Sequence, residues 1–416
     1  MEAGDIIVGV DIGSSKVCTI VGQVNRNKGI DMLGIGTSPC DGVKKGIIVD
    51  IDDTATSISN SIAQAEKKIN VKISSAYVNI IGMHLLIEKG HGSVDITSDR
   101  KEITTRDMEK VLLSSRLEEV PQDKQIIDII PQQYIIDGYD GIVDPFGMAG
   151  GKLEADTNVI LGTITSVQNI IKSMEKVDVK VDGLIVECMA TSEVLLSKYE
   201  KDAGTVLIDI GFGVTDISIF AGNNLVYYDS IPVGGYHITN DIAIALKIPY
   251  NEAERLKKQY AIARTSLVKN DQEVNILLNN KIDNRTVRIS EVVEIIEARV
   301  EEIFTLINNR IDKSGYRGLI NGNVVLTGAG IRYIDGSASL ASEIMKLPVE
   351  ISNIKIAGLP NNEFLTAYGI IKYVLNNKKR NSVASQVKAG NYNRDNANKS
   401  TFWSKISNSI SEFFNI

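Results

Sequence analysis

The sequence is short of the residues that staple, ligate or anchor a chain. Among 416 residues there are three cysteines, three histidines, eight prolines and one tryptophan. Cys18, Cys40 and Cys188 match no metal-ligand spacing, and so few thiols exclude a disulfide scaffold. They fit a reducing compartment and read as small buried hydrophobes. His84, His91 and His237 have no ligand spacing and read as structural or exposed. No apolar run reaches ~18 residues, so no segment is expected to span a bilayer. Glu2 and Asp5 stand where a signal peptide would be basic, so no secretory signal is expected. Positive charge is scarce too: 45 lysines and arginines against 52 acids leave −7. From Lys378 onward seven basic residues face two acids, so the end of the chain carries +5 and the remainder −12. An acidic body argues against general nucleic-acid binding, and a basic end points to an anionic surface. Two phosphate motifs are missing: no Gly-x-x-x-x-Gly-Lys-Ser/Thr before a helix, and no Gly-x-Gly-x-x-Gly.

What is present is a hairpin built twice. Ile6, Ile7, Val8 and Val10 lead into Asp11-Ile12-Gly13-Ser14-Ser15-Lys16. Val206, Leu207 and Ile208 lead into Asp209-Ile210-Gly211-Phe212-Gly213-Val214-Thr215-Asp216. Each reads as a buried strand ending in an aspartate and a glycine-rich turn, followed by a second apolar strand. Backbone N–H groups in such turns can hold a polyphosphate without side-chain bulk. Ser14 and Ser15 add hydroxyls and Lys16 a positive charge. Asp11 and Asp209, meeting across a cleft, would suit Mg²⁺ held through its water shell, with Asp216 as a third candidate. The alternative is a pair of ordinary β-turns. The repeated plan and the later turn Thr327-Gly328-Ala329-Gly330 favour the phosphate reading.

Composition, at 43% hydrophobic and 23% charged, is that of a globular protein with two or more domains. Residues 1–82 alternate strands with a helix capped by Asp52 or Asp53, an α/β pattern. Residues 83–164 look like an inserted α+β module. It holds a helix from Thr104 or Thr105, short strands at 126–130 and 134–136, and a turn-rich stretch over 137–148. From Val159 the α/β pattern resumes, with a strand ending at Glu187 and a helix from Ala190 to Tyr199. Residues 241–311 are predicted mainly helical. Asn251-x-x-Glu254 reads as a capping box and Ser290 as the cap of a longer helix. Residues 376–400 hold seven asparagines and little apolar spacing, and are read as a flexible linker. In 401–416, Phe402, Trp403, Ile406, Ile410, Phe413 and Phe414 fall on one helical arc, which predicts an amphipathic helix suited to a bilayer interface. Its alternatives are a groove on a partner or on the body.

The two hairpins, Gly234-Gly235 and the late Thr-Gly-Ala-Gly turn together resemble the actin-like ATPase superfamily. Within it the chain resembles the FtsA family of bacterial cell-division proteins over nearly its whole length. The most specific stretch runs from Val120-Pro121 through Pro131-Gln132-Gln133-Tyr134-Ile135-Ile136-Asp137-Gly138 to Asp144-Pro145-Phe146-Gly147-Met148, which resembles that family's inserted domain. The resemblance implies an α/β, two-lobed actin-like fold of duplicated RNase H-like halves. It implies subdomain IA over 1–82 and 360–375, IC over 83–164, IIA over 165–240 and 312–359, and IIB over 241–311. It implies ATP and Mg²⁺ as cofactors. Gly13, Ser14, Ser15 and Lys16 would form the first phosphate loop, and Gly211, Gly213 and Thr215 the second. Gly234 and Gly235 would lie against phosphate or ribose, Glu254 and Lys257 (with Lys258) near the adenosine, and Gly328, Ala329 and Gly330 beside the base. The plain readings of Glu254 and the lysines are a helix cap and a solvated face.

Glu187 matches the position of a water-positioning group and is the candidate catalytic base. Cys188 follows it where related proteins often carry proline, so hydrolysis is left open and slow ATPase activity at most is expected. The family further implies a head-to-tail filament. It also implies a peripheral place on the cytoplasmic membrane at the division septum, and a pocket within 241–311 for the C-terminal peptide of FtsZ. Arg299 lies in a helix resembling the one that forms this pocket. Rival readings are a sugar or acetate kinase of the same superfamily, which would lack a second-substrate signature here. A chaperone ATPase would need a further peptide-binding domain, and a pilus-assembly relative would not explain the amphipathic tail.

Overall fold

The computed structural model describes residues 4–27, 29–82, 85–98, 100–278 and 281–377. His84, the linker beyond 377 and the periodic segment with Phe402, Trp403, Ile406, Ile410, Phe413 and Phe414 lie outside the described residues. The chain forms two compact units, one from Met1–Leu85 with Thr165–Asn376 and one containing Leu86–Ile164.

The first unit opens on β1 (Ile6–Ile12), which pairs antiparallel with β2 (Lys16–Val24), and β2 with β3 (Ile30–Pro39). β1 and β2 are buried almost continuously, so they read as apolar runs rather than alternating strands. A small ladder, β4 (Val43–Lys44) with β5 (Ile47–Ile48), precedes α1 (Ile51–Ile69). Asp50 caps α1, not Asp52 or Asp53. Its carboxylate accepts the backbone N–H groups of Asp52 and Asp53, which leaves those two as first-turn acids facing the helix dipole. β6 (Ser75–Ile80) then pairs parallel with β1.

The second unit is a four-stranded antiparallel sheet carrying one helix. Its elements are β7 (Leu85–Asp95), α2 (Thr105–Ser114), β8 (Lys124–Ile136), β9 (Tyr139–Ile142) and β10 (Lys152–Thr163), in sheet order β7-β10-β8-β9. Thr104 caps α2 in a reciprocal box with Asp107. Val111 and Leu112 of α2 pack on Ile126, Ile129, Leu153 and Val159 of the sheet. The two short strands expected around Pro131 are one long strand. The register passes from Gln133 opposite Asp156 to Pro131 opposite Thr157, so Gln132 is bulged and the proline, which has no N–H, is accommodated there. β7 had no apolar alternation to announce it, because charged residues and glycines fill its middle.

Back in the first unit, α3 (Ile164–Glu175) leads to β11 (Lys180–Val186), which completes the sheet order β11-β6-β1-β2-β3. The single helix expected over 190–199 is two: α4 (Glu187–Leu195) and α5 (Lys198–Ala203). Ser197 starts the second with its own capping box to Glu200. The second half follows with β12 (Thr205–Ile210), β13 (Thr215–Ala221), β14 (Asn224–Ile231), α6 (Gly235–Leu246) and α7 (Tyr250–Gln259). A hairpin, β15 (Glu273–Leu278) with β16 (Lys281–Arg288), stands where mainly helix was expected. Then come α8 (Ile289–Lys313), β17 (Val324–Thr327), α9 (Ser337–Met345), β18 (Val349–Ile351) and α10 (Leu365–Asn376).

The second sheet runs β14-β13-β12-β17-β18. Its antiparallel trio β12-β13-β14 with β17 parallel to β12 repeats the plan of β1-β2-β3 with β6. Two expected caps do not form. α7 begins at Tyr250 after Pro249 with no side-chain cap, and the Ser290 hydroxyl donates to Asp271 at 2.7 Å while Arg288 precedes α8. Asn251 Oδ1 instead accepts the N–H of its neighbour Glu252 at 3.0 Å, whereas Ser290 found a tertiary partner. All three cysteines are buried free thiols.

Candidate functional site

The two turns close alike. Gly13 N–H donates to Lys16 O at 3.0 Å, and Gly211 N–H to Val214 O at 2.8 Å. Each turn leaves an aspartate, Asp11 or Asp209, near the end of its strand. The likeness stops at the facing residue: Cys18 lies opposite Asp11, whereas Asp216 lies opposite Asp209. The tips approach each other, since a Cβ on Gly213 would stand 3.3 Å from Lys45 N and 3.9 Å from Ser14 Cβ. Ser14 Oγ accepts Gly46 N–H at 3.0 Å.

Between the turns lies a cleft of about 880 Å³, counted out to its open mouth. The first hairpin lines it with Asp11, Gly13, Ser14, Ser15 and Lys16, the second with Asp209, Gly211, Gly213 and Asp216. Glu187, Gly328 and Ala329 complete the set of expected residues found there, joined by Arg332, Tyr333 and Thr366.

The floor of this cleft gathers four carboxyl groups, Asp11, Glu187, Asp209 and Asp216. Burial pushes Asp11 up to about 7, with the Lys16 cation pulling the other way. Burial raises Asp209 to about 7, helped by the charges of Asp216 and Asp11. Asp216 is pushed up to about 6 by burial, against the hydrogen bond from the Tyr228 hydroxyl. Glu187 stands well above the usual carboxylate range through burial and then the charges of Asp11, Asp209 and Asp216. Lys16 lies in the same cleft but is paired with Glu363 at 3.0 Å. Such a donor set of hard oxygens fits a divalent cation. Among the described residues no group of three or more His, Cys, Asp or Glu side chains is placed to ligate a metal directly. The fit is therefore to Mg²⁺ kept in its hydration shell and shared with phosphate oxygens.

Two residues that the sequence reading missed hold these carboxylates. Asn79 on β6 donates to Asp11 Oδ1 at 2.8 Å and to Glu187 Oε2 at 3.3 Å. The Tyr228 hydroxyl on β14 donates to Asp216 Oδ1 at 2.7 Å and accepts Gly82 N–H at 3.1 Å. The available signal was a polar residue inside an apolar strand, Asn79 between Val78 and Ile80. Tyr228 offered none, since tyrosine is ordinary in a strand. Tyr228→Phe is expected to lower stability by about 1–3 kcal/mol, because it strips one donor from Asp216 and leaves a backbone N–H without its acceptor. A urea melt measures this, and an unchanged midpoint would show that water replaces the hydroxyl.

Other expected residues do not line the cleft. Gly235 N–H donates to Gly211 O at 2.9 Å and Gly330 N–H to Ile210 O at 2.8 Å. A Cβ on Gly234 would come within 2.6 Å of Gly211 O, and one on Gly235 within 2.8 Å of Gly330 Cα. Gly234, Gly235 and Gly330 thus serve to let three backbone turns pack on one another behind the second hairpin. Thr215 is buried, its hydroxyl donating to Val233 O at 2.8 Å. Lys257 Nζ donates to Gly235 O at 3.2 Å and Thr239 Oγ1 at 2.7 Å and pairs with Glu254 at 2.7 Å, while burial holds its pKa down. Lys258 is exposed and lies 3.3 Å from Glu254. Arg299 on α8 grips Asp241, with Nη2 at 3.0 Å from Oδ1, and also pairs with Glu302.

Comparison with known proteins adds three findings. The family model "Cell division protein FtsA" matches residues 206–369, and "SHS2 domain inserted in FTSA" matches residues 82–161. The cell division protein FtsA of Pseudomonas aeruginosa is 34% identical over 400 residues, covering 95% of each chain. Among solved structures, the PilM-PilN type IV pilus biogenesis complex superposes with a TM-score of 0.62 at 14% identity, over 88% of this chain and 98% of that one. MreB5 of Spiroplasma citri bound to ADP superposes with a TM-score of 0.52 at 13% identity, over 92% and 98%.

Proposed function

The chain belongs to the cell division protein FtsA family, with an actin-like fold and an inserted SHS2 subdomain, and from that premise we propose that it binds Mg-ATP in the cleft and tethers a polymer of itself, and through it the FtsZ ring, to the cytoplasmic membrane at the septum. The observation that carries the nucleotide part is the pair of glycine turns closing over a floor of carboxylates. With the Gly13 and Gly211 N–H groups closing the turns, those of Ser14 and Ser15 and of Phe212 and Gly213 would receive the phosphates. Asp11 and Asp209 would hold the hydration shell of Mg²⁺, which when bound supplies the charge that the carboxylate floor and the phosphates both need. Lys16 must leave Glu363 to meet a phosphate. Glu187, raised in pKa and held by Asn79 and Thr366, is the candidate for accepting a proton from an attacking water. Gly328 and Ala329 would flank the base, while Gly234, Gly235, Thr215, Gly330, Glu254 and Lys257 act by shaping the second hairpin from behind.

We assign 1–82 with 360–375, 83–164, 165–240 with 312–359, and 241–311 as the four subdomains. Family membership implies partners in the division machinery such as FtsZ. Arg299 is our candidate contact for the FtsZ C-terminal peptide, and it would have to exchange Asp241 or Glu302 for a group on the peptide. Among the described residues no helix is long and apolar enough to cross a membrane, and the membrane contact is assigned to Phe402, Trp403, Ile406, Ile410, Phe413 and Phe414.

Negative-stain microscopy on anionic lipid monolayers tests the proposal. Filaments are expected on lipid with Mg-ATP. Trp403→Glu with Phe414→Glu removes two large apolar side chains worth about 1.5–3 kcal/mol each on burial, so liposome sedimentation should fall by about a hundredfold or more in affinity. Continued sedimentation of that variant, or wild type that never assembles on lipid, would sink the tether.

A further inference from the structure

Behind the cleft, outside its lining, one amide touches both carboxylates of the first half. Asn79 is 1% exposed. Its Oδ1 accepts Ile12 N–H at 2.7 Å, which settles which way the amide faces. Nδ2 is thereby aimed at Asp11 Oδ1, 2.8 Å away, and Glu187 Oε2, 3.3 Å away. The partners come from separate elements. Ile12 and Asp11 belong to β1, Glu187 opens α4, and Asn79 lies on β6 one residue past the backbone pairing of Val10 with Val78. The Thr366 hydroxyl holds the other oxygen of Glu187 at 3.4 Å.

We propose that Asn79 is a positioning residue of the Mg-ATP site, clamping Asp11 to Glu187 so that one carboxylate faces the metal's hydration shell and the other the attacking water. The inference rests on the Mg-ATP reading above. Two half-buried carboxylates sharing a partner repel, and left alone they would turn apart or keep a proton between them. An amide is suited to prevent this. Its carbonyl is fixed by a backbone N–H, and its two N–H groups diverge in one plane, so each carboxylate receives a donor at a set angle. It is also neutral. A lysine in its place would cancel the charge that the cation has to meet, and an aspartate would add to the repulsion. Because Asn79 does not line the cleft, it acts only through the two acids it holds.

Calorimetry of ATP binding in excess Mg²⁺ and in EDTA separates positioning from mere support. The ratio of the two affinities is the gain due to the metal. In Asn79→Ala this gain should fall about tenfold, as for a lost hydrogen bond to a charged group, with the affinity in EDTA within threefold of wild type. Placed on an Asp11→Ala background, Asn79→Ala should cause no further loss of the gain, since the two act as one unit. Asn79 is only a splice between β1 and β6 if the gain is retained within twofold, if affinity falls equally in both buffers, or if the losses simply multiply in the double variant. Should Asn79→Ala not fold, Asn79→Asp keeps shape and the acceptor for Ile12 N–H while losing the donors to both acids. A wild-type metal gain in that variant overturns the proposal, and a gain reduced about tenfold supports it. Wild type that binds no ATP in either buffer removes the nucleotide reading and this inference with it. ATP bound without any gain from Mg²⁺ leaves that reading standing and removes the role of Asn79.

Discussion

Gly328→Ala is expected to cost about 3 kcal/mol or more and to abolish Mg-ATP binding at ordinary temperatures. Gly328 follows β17 with φ +96°, a conformation that L side chains rarely adopt. A Cβ there would stand 2.3 Å from Ile210 O and 2.4 Å from Asp209 Oδ1. Neither atom can give way cheaply. Ile210 O already accepts Gly330 N–H at 2.8 Å, and Asp209 is a half-buried carboxylate of the cleft floor. The methyl would therefore separate β17 from β12 at the point where the floor is built. Gly222→Ala is the control. It also has positive φ, +57°, but nothing within 4 Å of a Cβ, so it should cost only the left-handed penalty of about 1–2 kcal/mol. Urea melts of both variants measure the difference, and equal midpoints would show that the crowding around Gly328 is relieved at no cost.

The second large effect is on pH and metal. Asp11 and Asp209 are held at about 7 in the fold, against 3.8 as the ordinary value, and Asp216 at about 6. Over that window the folded chain keeps protons that the unfolded chain has released. Stability of the free protein should therefore fall as pH rises from about 4 through about 7. A divalent cation replaces the protons, so saturating Mg-ATP should flatten the slope. Asp209→Asn removes one charge from the floor. It is expected to be more stable than wild type at pH 8 by about 1–2 kcal/mol, because a carboxylate crowded by Asp216 and Asp11 is no longer forced to ionise. It should bind Mg-ATP at least tenfold more weakly. Thermal melts from pH 5 to 8 with and without Mg-ATP check both statements. If Asp209→Asn were less stable at pH 8 and bound Mg-ATP normally, Asp209 would be a structural residue and the carboxylate floor would have no function in binding.

Much of this protein was legible as local pattern. Apolar runs ending in Asp-x-Gly announced β1 and β12, because a strand buried on both faces must be apolar and a tight turn must be small. Short strands followed by the turn-rich stretch over 137–148 marked the inserted module, whereas Val120 to Met148 marked it by resemblance to the family's inserted domain. Where local signals competed, the reading failed. Asp52 and Asp53 looked like caps for α1, but the extended backbone falls two residues earlier, at Asp50. Ser290 looked like a cap until Asp271, 19 residues away, took its hydroxyl.

The sequence by itself determined that two glycine turns follow two buried strands, each with its aspartate, and that the chain carries the marks of its family. Only the tertiary structure decided what each of those residues does. It placed Glu187 and Asp11 on the same amide, through contacts spanning 108 and 68 residues of chain. It paired Lys16 with Glu363, turned Lys257 onto the back of a glycine turn, and showed Gly234, Gly235 and Gly330 to be needed by one another's backbones. Strand and turn formation are set by neighbours along the chain, which the sequence displays. The charge, burial and partner of a side chain are set by whichever distant segment folds against it, and no local spacing encodes that.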